Sequence, residues 1–346
     1  MMKKVLYVFL VVGVLGLFLL IFAYINQDKL IDRFIEDQVQ NASINGKYLE
    51  DKEGIRLITV GTSSPLPSNR VQTCNAVFVN GKFFVFDVGD GASNKLDRLD
   101  LPIAKLDGIF ISHWHSDHFI DLPNLINRSW LYGRQKSLYV YGPDPIDSIL
   151  QGIKMMLHAE QEFRVEHHGA DIMKPGIANA IPISISTEDN SRKIVYQEDG
   201  ITISTFTVDH DPVSPSLGYR VDYNGLSVVI SGDTKKSSNV IEHAKGADIL
   251  VHEAMQTEFI KRAAILQERS GNTRNQKILN DVVDFHTTPV EAAEVASEAG
   301  VKKLILNHLA PVPENPISRR FFLKGMDEVF KGEIILAQDG QEHYIH

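Results

Sequence analysis

Four potential metal ligands lie within six residues, directly after a short apolar segment. Residues 105–112 (KLDGIFIS) lead into the sequence His-Trp-His-Ser-Asp-His. The apolar run predicts a buried strand, and a loop at the end of a strand can turn alternate side chains toward one point. His113 and His115 are spaced to share one ion, and Asp117 and His118 can face a second ion. Imidazole and carboxylate ligands together suit zinc, with iron or manganese as alternatives.

Three further candidate ligands follow other predicted strands. His210, Asp233 and His308 each come two or three positions after the last residue of a short apolar segment. A carboxylate such as Asp233 can bridge two cations about 3.5–4 Å apart, which is the spacing of two-metal hydrolases. Taken singly, a His or Asp at a strand end is more often a turn or capping residue. Together with the four ligands of the first segment, these three complete a set of seven.

The composition is that of a soluble globular protein over most of the chain. The 346 residues carry a formal net charge of -9 and contain one cysteine, Cys74. A single cysteine excludes an intrachain disulfide framework and a Cys-rich structural zinc site. The acidic balance argues against broad electrostatic capture of nucleic acid. From Gly54 onward, hairpin patterns followed by alternating strands and helices predict an α/β fold, an αββα four-layer sandwich.

Residues 1–27 are predicted to be a membrane anchor or an uncleaved signal. Val5–Ile25 is a run of 21 residues without charge, and a bilayer core needs about 20 helical residues. Two lysines precede the run, and the positive-inside tendency then places the rest of the chain on the outer, periplasmic face of a membrane. A cleaved signal peptide, which would give a secreted protein, is the alternative. Residues 28–53 are predicted to be a linker.

The order of these motifs resembles the metallo-β-lactamase superfamily. The resemblance rests on His-x-His-x-Asp-His, the later single His, the Gly-Asp-Thr sequence and the final His. It is closest to the branch that contains ribonuclease Z and the zinc-dependent arylsulfatases, as indicated by GTSSPLPSNR, SPSLGYRV, VVISGDT, DILVHEA and HTTPVEAAEVASEAGVKKLILNH. It covers about residues 54–346, which are therefore expected to form a metallo-β-lactamase-like hydrolase domain.

The resemblance implies a role for each residue of the set. One metal ion would be held by His113, His115 and His210, a second ion by Asp117, His118 and His308, and Asp233 would bridge the two. The implied cofactors are thus two divalent metal ions, with Zn²⁺ favoured.

The resemblance also implies three catalytic residues. His286 matches a histidine that the ribonuclease Z branch uses in proton transfer, and Glu253 matches a carboxylate near that histidine. Asp117 could accept the proton of the nucleophile while it holds a metal ion. For His286, a local hydrogen bond at the start of a helix is the alternative.

These features predict a dinuclear metal-dependent hydrolase of an anionic ester, either an aryl sulfate or a phosphodiester. The alternatives are a ribonuclease Z-like endonuclease acting on tRNA 3′ ends, and a β-lactamase-like or redox member of the superfamily. Ribonuclease Z carries a tRNA-gripping arm before the Gly-Asp-Thr sequence, but here His210 and Asp233 are only 23 positions apart. We therefore expect a small or medium-sized ester as the substrate, a membrane as the partner of the N-terminal helix, and no nucleic acid partner. The sequence is also compatible with a homodimer.

Three other segments carry candidate polar residues. Asp87 and Asp90 are expected to shape a turn beside the site and to hydrogen-bond a metal-binding histidine. The tripeptide 166–168 (Glu-His-His) has the composition of a metal site, but its irregular surroundings favour a solvated loop or pocket rim. His343 is expected on the surface of the terminal strand.

Overall fold

The chain is described by a computed structural model, in full over residues 12–37, 46–186 and 191–346 and as helical backbone over 2–11 and 38–44. The two lysines before the predicted anchor, and the part of the apolar run before residue 12, lie outside the fully described residues. Contacts divide the chain into two compact units, Met1–Lys47 and Tyr48–His346.

The N-terminal unit consists of helices over its described residues. α1 (Met2–Ile25) contains the apolar run, and α2 (Gln27–Ile44) contains much of the predicted linker. Within the fully described residues, no single helix is long and apolar enough to cross a membrane, although Val12–Ile25 and Gln27–Asp37 meet the criterion together as a pair bent by 73°. The predicted transmembrane helix is therefore unconfirmed.

Two sheets form the centre of the second unit. The strands are β1 (Ile55–Gly61), β2 (Cys74–Val79), β3 (Lys82–Phe86), β4 (Gly108–Phe110), β5 (Leu138–Gly142), β6 (Ala180–Ser184), β7 (Lys193–Glu198), β8 (Ile201–Val208), β9 (Ser216–Tyr223), β10 (Leu226–Ile230), β11 (Ile249–Met255), β12 (Lys303–Ala310), β13 (Glu333–Leu336) and β14 (Gln341–Ile345). The first sheet has the order β14-β1-β2-β3-β4-β5-β6, and the second has the order β13-β12-β11-β10-β9-β8-β7. The strands from β3 to β6 and from β10 to β13 pair in parallel, and the other pairs are antiparallel.

Helices cover the outer face of each sheet. The helices that follow α2 are α3 (Lys47–Glu50), α4 (Ala92–Arg98), α5 (Ser116–Phe119), α6 (Leu122–Leu131), α7 (Ile146–His168), α8 (Ser238–His243), α9 (Thr257–Arg269), α10 (Thr273–Val282), α11 (Pro289–Ala299), α12 (Pro316–Phe322) and α13 (Met326–Val329). Apolar residues of α4, α6 and α7 pack on the first sheet, and those of α8, α11, α12 and α13 pack on the second. This is the predicted αββα arrangement, in which each sheet buries one face on helices and the other on its partner sheet.

The layer between the sheets is rich in aromatic side chains. Phe86, Phe110 and Tyr219 are each at most 1% exposed. The ring of Phe110 stacks on those of Phe86 and Tyr141, with centroids 5.0 and 4.5 Å apart. Burial of a side chain of this size contributes about 1.5–3 kcal/mol. The Tyr219 hydroxyl donates to the carbonyl oxygen of Ile111 at 2.6 Å, so this core also fixes the residue just before the histidine-rich segment.

Two local sequence signals form the structures that they predict. Asn80 and Gly81 join β2 to β3 with positive φ angles of 45° and 76°, as expected for a tight hairpin turn. Thr288 caps α11, because its hydroxyl accepts from the Glu291 N–H while the Glu291 carboxylate accepts from the Thr288 N–H. The capping box fixes where α11 starts, three residues after His286.

Two predictions about individual histidines are wrong. The tripeptide 166–168 is exposed and Glu166 lines a cavity, as predicted, but it forms the last residues of the 23-residue helix α7 and not an irregular loop. His343 is only 5% exposed, because its side chain points inward from β14. Both errors have the same origin. Polar composition does not show how the surrounding element is built and packed, and this decided the helix at 166–168 and the burial of His343.

Candidate metal centre

The structure brings the seven predicted ligands together in two groups that share Asp233. The first ligand group is His113, His115, His210 and Asp233, and the second ligand group is Asp117, His118, Asp233 and His308. Within each group, the candidate ligand atoms all lie within 4.8 Å of one another. The shared carboxylate places the two groups side by side, which is the arrangement needed for two neighbouring ions.

The first ligand group consists mainly of imidazole nitrogens that face each other. His115 Nδ1 lies 3.0 Å from His113 Nε2 and 3.3 Å from His210 Nε2. Asp233 Oδ2 lies 4.0 Å from the Nε2 atoms of His113 and His210. Tetrahedral zinc with bonds of about 2.0–2.1 Å to nitrogen separates its ligand atoms by roughly 3.3 Å. The nitrogen separations in this group fit such an ion.

The second ligand group contains two carboxylates. His308 Nε2 lies 3.0 Å from Asp117 Oδ2 and 3.3 Å from Asp233 Oδ2. His118 Nε2 lies 3.5 and 3.3 Å from the same two oxygens. All four residues are buried. Two buried carboxylates this close together need positive charge between them, and a divalent cation supplies it.

Unsatisfied buried atoms support the same conclusion. Within the described residues, His118 Nε2 and Asp233 Oδ1 are buried and make no hydrogen bond. Buried polar atoms normally have a hydrogen-bond partner, and leaving one without a partner costs about 1–3 kcal/mol. Both atoms belong to the second ligand group, so a bound ion would satisfy them. The residues present therefore fit a pair of divalent cations.

Charges and burial set the protonation of the two groups differently. Burial lowers the pKa of His113, His115 and His210, so these imidazoles are neutral, as metal binding requires. Burial also lowers the pKa of His118, but the nearby carboxylates, Asp233 foremost, outweigh it and raise the pKa well above the usual value. In the absence of a cation, His118 therefore carries a proton.

The backbone is bent to aim two of the ligands. His308 has a φ of 45° and lies at a register shift between β11 and β12, where Glu253 pairs with Asn307 and Ala254 with Leu309. It is thus the extra residue of a bulge, a device that re-aims side chains next to active sites. Gly232 has a φ of 65°, and a Cβ there would lie 2.4 Å from the Leu217 carbonyl oxygen. Only glycine fits at the turn that precedes Asp233.

Two candidate ligands, His118 and His210, are oriented by contacts at their Nδ1 atoms. The Asp87 carboxylate lies 2.9 Å from His118 Nδ1 and also accepts from the N–H and hydroxyl of Ser112, at 2.7 and 2.8 Å. The predicted hydrogen bond is therefore confirmed for Asp87, whereas Asp90 lies in the turn as predicted but is exposed and makes no described contact with a histidine. His210 Nδ1 lies 3.0 Å from the Phe285 carbonyl oxygen. Such partners fix the ring orientation and the tautomer of a ligand.

His286 and Glu253 form a pair beside the two ligand groups. Glu253 Oε1 lies 2.8 Å from His286 Nδ1, and the His286 side chain is 7% exposed. Burial lowers the pKa of His286, but the charge of Glu253 and the hydrogen bond to it outweigh this effect and raise the pKa to about 9. Near neutral pH the imidazole thus carries a proton that it can donate. The His286 ring stacks on that of His308 with centroids 5.5 Å apart, so this proton lies next to the second ligand group.

A cavity of about 270 Å³ lies beside the first ligand group, and no sequence motif marks it. Residues on two sides form its lining: His115, His210, Pro212, Val213, Ile278, Asp281, Val282 and Phe285. Most of these side chains are apolar, and apolar residues near a site have no motif that distinguishes them from core residues. The periodic spacing of Ile278 and Val282 on α10 was the one available signal.

Comparisons with known proteins agree with this fold and site. A family described as a β-lactamase superfamily domain matches residues 85–309. Ribonuclease Z of Mycobacterium avium (strain 104) is 31% identical over 261 residues, which cover 74% of this chain and 86% of that protein. Ribonuclease Z of Mycobacterium marinum is 30% identical over 261 residues, with 74% and 87% covered.

Solved structures share the fold at lower sequence identity. The metallo-β-lactamase fold protein YhfI from Bacillus subtilis has a TM-score of 0.61 at 19% identity, covering 84% of this chain and all of that one. The short form of human tRNase Z has a TM-score of 0.58 at 22% identity, covering 83% and 98%.

These relatives correct one prediction. We expected no nucleic acid partner, and this is wrong, because the similar proteins that cover 74% of the chain are named as ribonucleases. That prediction rested on the absence of a tRNA-gripping arm between His210 and Asp233. The fully described segment from His210 to Asp233 is filled by β9, β10 and short turns, which shows only that no arm is inserted at that place.

Proposed function

Because this chain belongs to the β-lactamase superfamily and has proteins named ribonuclease Z among its relatives, we propose that it is a metal-dependent phosphodiesterase that cleaves RNA. The observation that carries the proposal is the pair of ligand groups that share Asp233 next to the protonated His286. Phosphodiester cleavage needs a nucleophilic water, positive charge at the phosphoryl oxygens and a proton for the leaving oxygen. The arrangement provides a place for each.

In this proposal the first ligand group holds one divalent cation and the second ligand group holds another, with zinc as the favoured metal. When bound, the cations supply Lewis-acid activation of water and of phosphoryl oxygens. With ions held by these residues, the charges of Asp117 and Asp233 would be offset, and an anionic ester could approach a chain whose net charge is -9. His115 is partly exposed, so the first ligand group is accessible from solvent.

The chain's own residues move the protons. His286 donates its proton to the leaving oxygen, and Glu253 holds the ring in the required orientation at 2.8 Å. Asp117 lies next to His308 and accepts the proton of the attacking water. His118 is kept in place by Asp87 while these transfers occur. Each role uses a contact that is already present among the described residues.

RNA is favoured over an aryl sulfate as the substrate. Sulfate esters and phosphodiesters would use the same cations and the same proton donor, so the seven ligands do not separate them. The relatives that match most of this chain are named Ribonuclease Z, and a solved neighbour is named tRNase Z. Precursor tRNA, cut near its 3′ end, is therefore the first natural substrate to test.

The test compares four substrates with the purified full-length chain loaded with zinc. We expect hydrolysis of precursor tRNA and of bis-p-nitrophenyl phosphate, and little or none of p-nitrophenyl sulfate or the β-lactam nitrocefin. Metal content is measured on the same sample, so that inactivity caused by missing ions is recognised. Hydrolysis of the sulfate alone, by a sample that contains both ions, would disprove the proposal.

A further inference from the structure

The helical hairpin formed by α9 and α10 is inserted between the two residues of the His286–Glu253 pair. Glu253 lies on β11 before the hairpin, and His286 follows it after one short turn. The hairpin thus enters and leaves the fold at the candidate active site. Its second helix forms one wall of the cavity of about 270 Å³ described above.

This cavity borders the first ligand group. His115 and His210 belong both to the cavity lining and to the first ligand group. A phosphate bound at the first ligand group therefore has this cavity as an immediate neighbour. Any group attached to that phosphate on this side would enter it.

The walls of the cavity are apolar. Ile278 and Val282 lie four residues apart on α10 and thus on the same face of the helix, and Pro212 and Val213 line the cavity from the loop after His210. Ile278 is 43% exposed although it faces the neighbouring loop, which is a large exposure for an inward-facing branched side chain. An apolar wall that remains open in this way has room for a ligand group.

The charge of the lining excludes a second phosphate. Among the described side chains that line the cavity, Asp281 is the one carboxylate, and the lining contains no lysine or arginine. Lys277 pairs with Asp281 at 2.9 Å, but both side chains are largely exposed and such pairs are weak. A carboxylate at the edge of an apolar cavity accepts hydrogen bonds from an uncharged group that carries N–H donors.

We propose that this cavity binds the nucleobase of the nucleotide next to the scissile phosphate, with Ile278 and Val282 against the ring and Asp281 accepting from a ring amino group. A nucleobase is flat, uncharged and apolar on its faces, and it carries N–H donors at its edge. This inference rests on the proposed function, because it requires a nucleotide ester at the ions. It makes α10 the element that selects the group beside the reacting phosphate.

The test measures binding rather than turnover. The full-length chain loaded with zinc is titrated with cytidine 5′-monophosphate and with ribose 5-phosphate, which has the same phosphate and sugar without the base. A stacked and buried base contributes about 1–3 kcal/mol to binding, so we expect the cytidine compound to bind at least about fivefold more tightly.

A matched pair of variants assigns this difference to the cavity. Ile278→Ser removes part of the apolar wall, and Ile265→Ser is the control, because Ile265 lies on α9 with a similar exposure of 48% and does not line the cavity. We expect Ile278→Ser to weaken binding of cytidine 5′-monophosphate about fivefold and binding of ribose 5-phosphate less than twofold. The control should bind both compounds like the unmodified chain.

Equal affinity of the unmodified chain for the two compounds would overturn the role of the cavity. An equal loss of both affinities in Ile278→Ser would overturn it as well, because the effect would not depend on the base. Zinc content and circular dichroism confirm that the variant is folded and loaded.

Hydrolysis of the dinucleotide cytidylyl-cytidine is measured separately and keeps the two proposals apart. Base-dependent binding without hydrolysis of any phosphodiester would refute the proposed function and retain the nucleobase site. Hydrolysis with base-independent binding would retain the function and refute the nucleobase site.

Discussion

The two ligand groups differ in charge and in access to solvent. The first ligand group has three histidines that burial keeps neutral, and its charge comes from the shared Asp233. The second ligand group has a second carboxylate, Asp117, and is buried throughout, whereas His115 opens the first ligand group to solvent. Greater negative charge should bind an ion more firmly, and greater access should exchange it faster. The comparison predicts one firmly held ion and one ion that exchanges readily beside the substrate.

Removal of the shared carboxylate tests the comparison most severely. Asp233→Ala should lower the rate of phosphodiester hydrolysis by at least about 10⁴-fold, beyond the loss of about 10²–10⁴-fold expected when only a general acid is removed. Metal analysis should show that both ions bind more weakly, because Asp233 belongs to both groups. The control is Asp209→Ala, an exposed carboxylate beside His210. Normal metal content and activity in Asp233→Ala would show that the groups do not share a ligand.

The next largest effect is expected at His286. His286→Ala should lower kcat by about 10²–10³-fold and leave the content of both ions unchanged, because His286 is proposed to donate a proton and not to bind metal. In the unmodified chain, activity should fall as the pH rises through the pKa of His286, since the acid is lost above it. That pKa is about 9 without cations, and bound cations should lower it by offsetting Asp233 and Asp117.

Glu253→Gln is the companion variant for this prediction. It removes the charge that raises the pKa of His286, so the loss of activity should move to lower pH. A pH profile that does not change between the unmodified chain and Glu253→Gln would contradict the role of His286 as the acid.

Titration of the metal-free chain with zinc at different pH values separates the two groups. A cation at the second ligand group must displace the proton of His118, whose pKa is raised, whereas the imidazoles of the first ligand group are already neutral. As the pH decreases, the affinity of the second ligand group for its ion should therefore fall up to about tenfold per pH unit. The affinity of the first ligand group should change much less near neutral pH. Two ions with the same pH dependence would argue against this difference.

Among the substitutions, the smallest effect is expected at Asp87, which contacts a ligand of the second ligand group. Asp87→Asn weakens the contact that orients His118. It should lower the affinity of the second ligand group for its ion by about 10–100-fold, with little change at the first ligand group. Asp90→Asn is the matched control, because Asp90 lies in the same turn and is exposed. If both variants bind zinc alike, the Asp87 contact has no effect on the ion.

The sequence predicted the parts of the site that depend on residue type and position along a strand. The spacing of His113 to His118, and the positions of His210, Asp233 and His308 after strands, were enough to expect one cluster, because strand ends in this fold meet at one edge. The structure places all seven side chains in that cluster. The bulge that aims His308 was not predictable, because it depends on pairing with β11.

The parts that the sequence missed depend on packing between distant elements. Ile278 and Val282 have the spacing of any amphipathic helix, so their position at the cavity becomes visible only when α10 lies against the loop after His210. The substrate class was misjudged for a related reason. Metal ligands determine which atoms react, whereas the groups that recognise the rest of a substrate are apolar or lie elsewhere in the fold.

A single oxygen of Glu253 joins three separate parts of the site. Glu253 Oε1 lies 2.8 Å from His286 Nδ1 and accepts from the backbone N–H groups of Thr234 and Thr287, at 3.1 and 3.3 Å. Thr234 directly follows Asp233, so the proposed bridging carboxylate and the proposed proton donor are both positioned by the same atom. The Glu253 side chain therefore sets the position of Asp233 relative to His286. A substitution at Glu253 that removes this oxygen is therefore expected to displace both His286 and the turn that carries Asp233, whereas Glu253→Gln keeps an oxygen there and changes the charge.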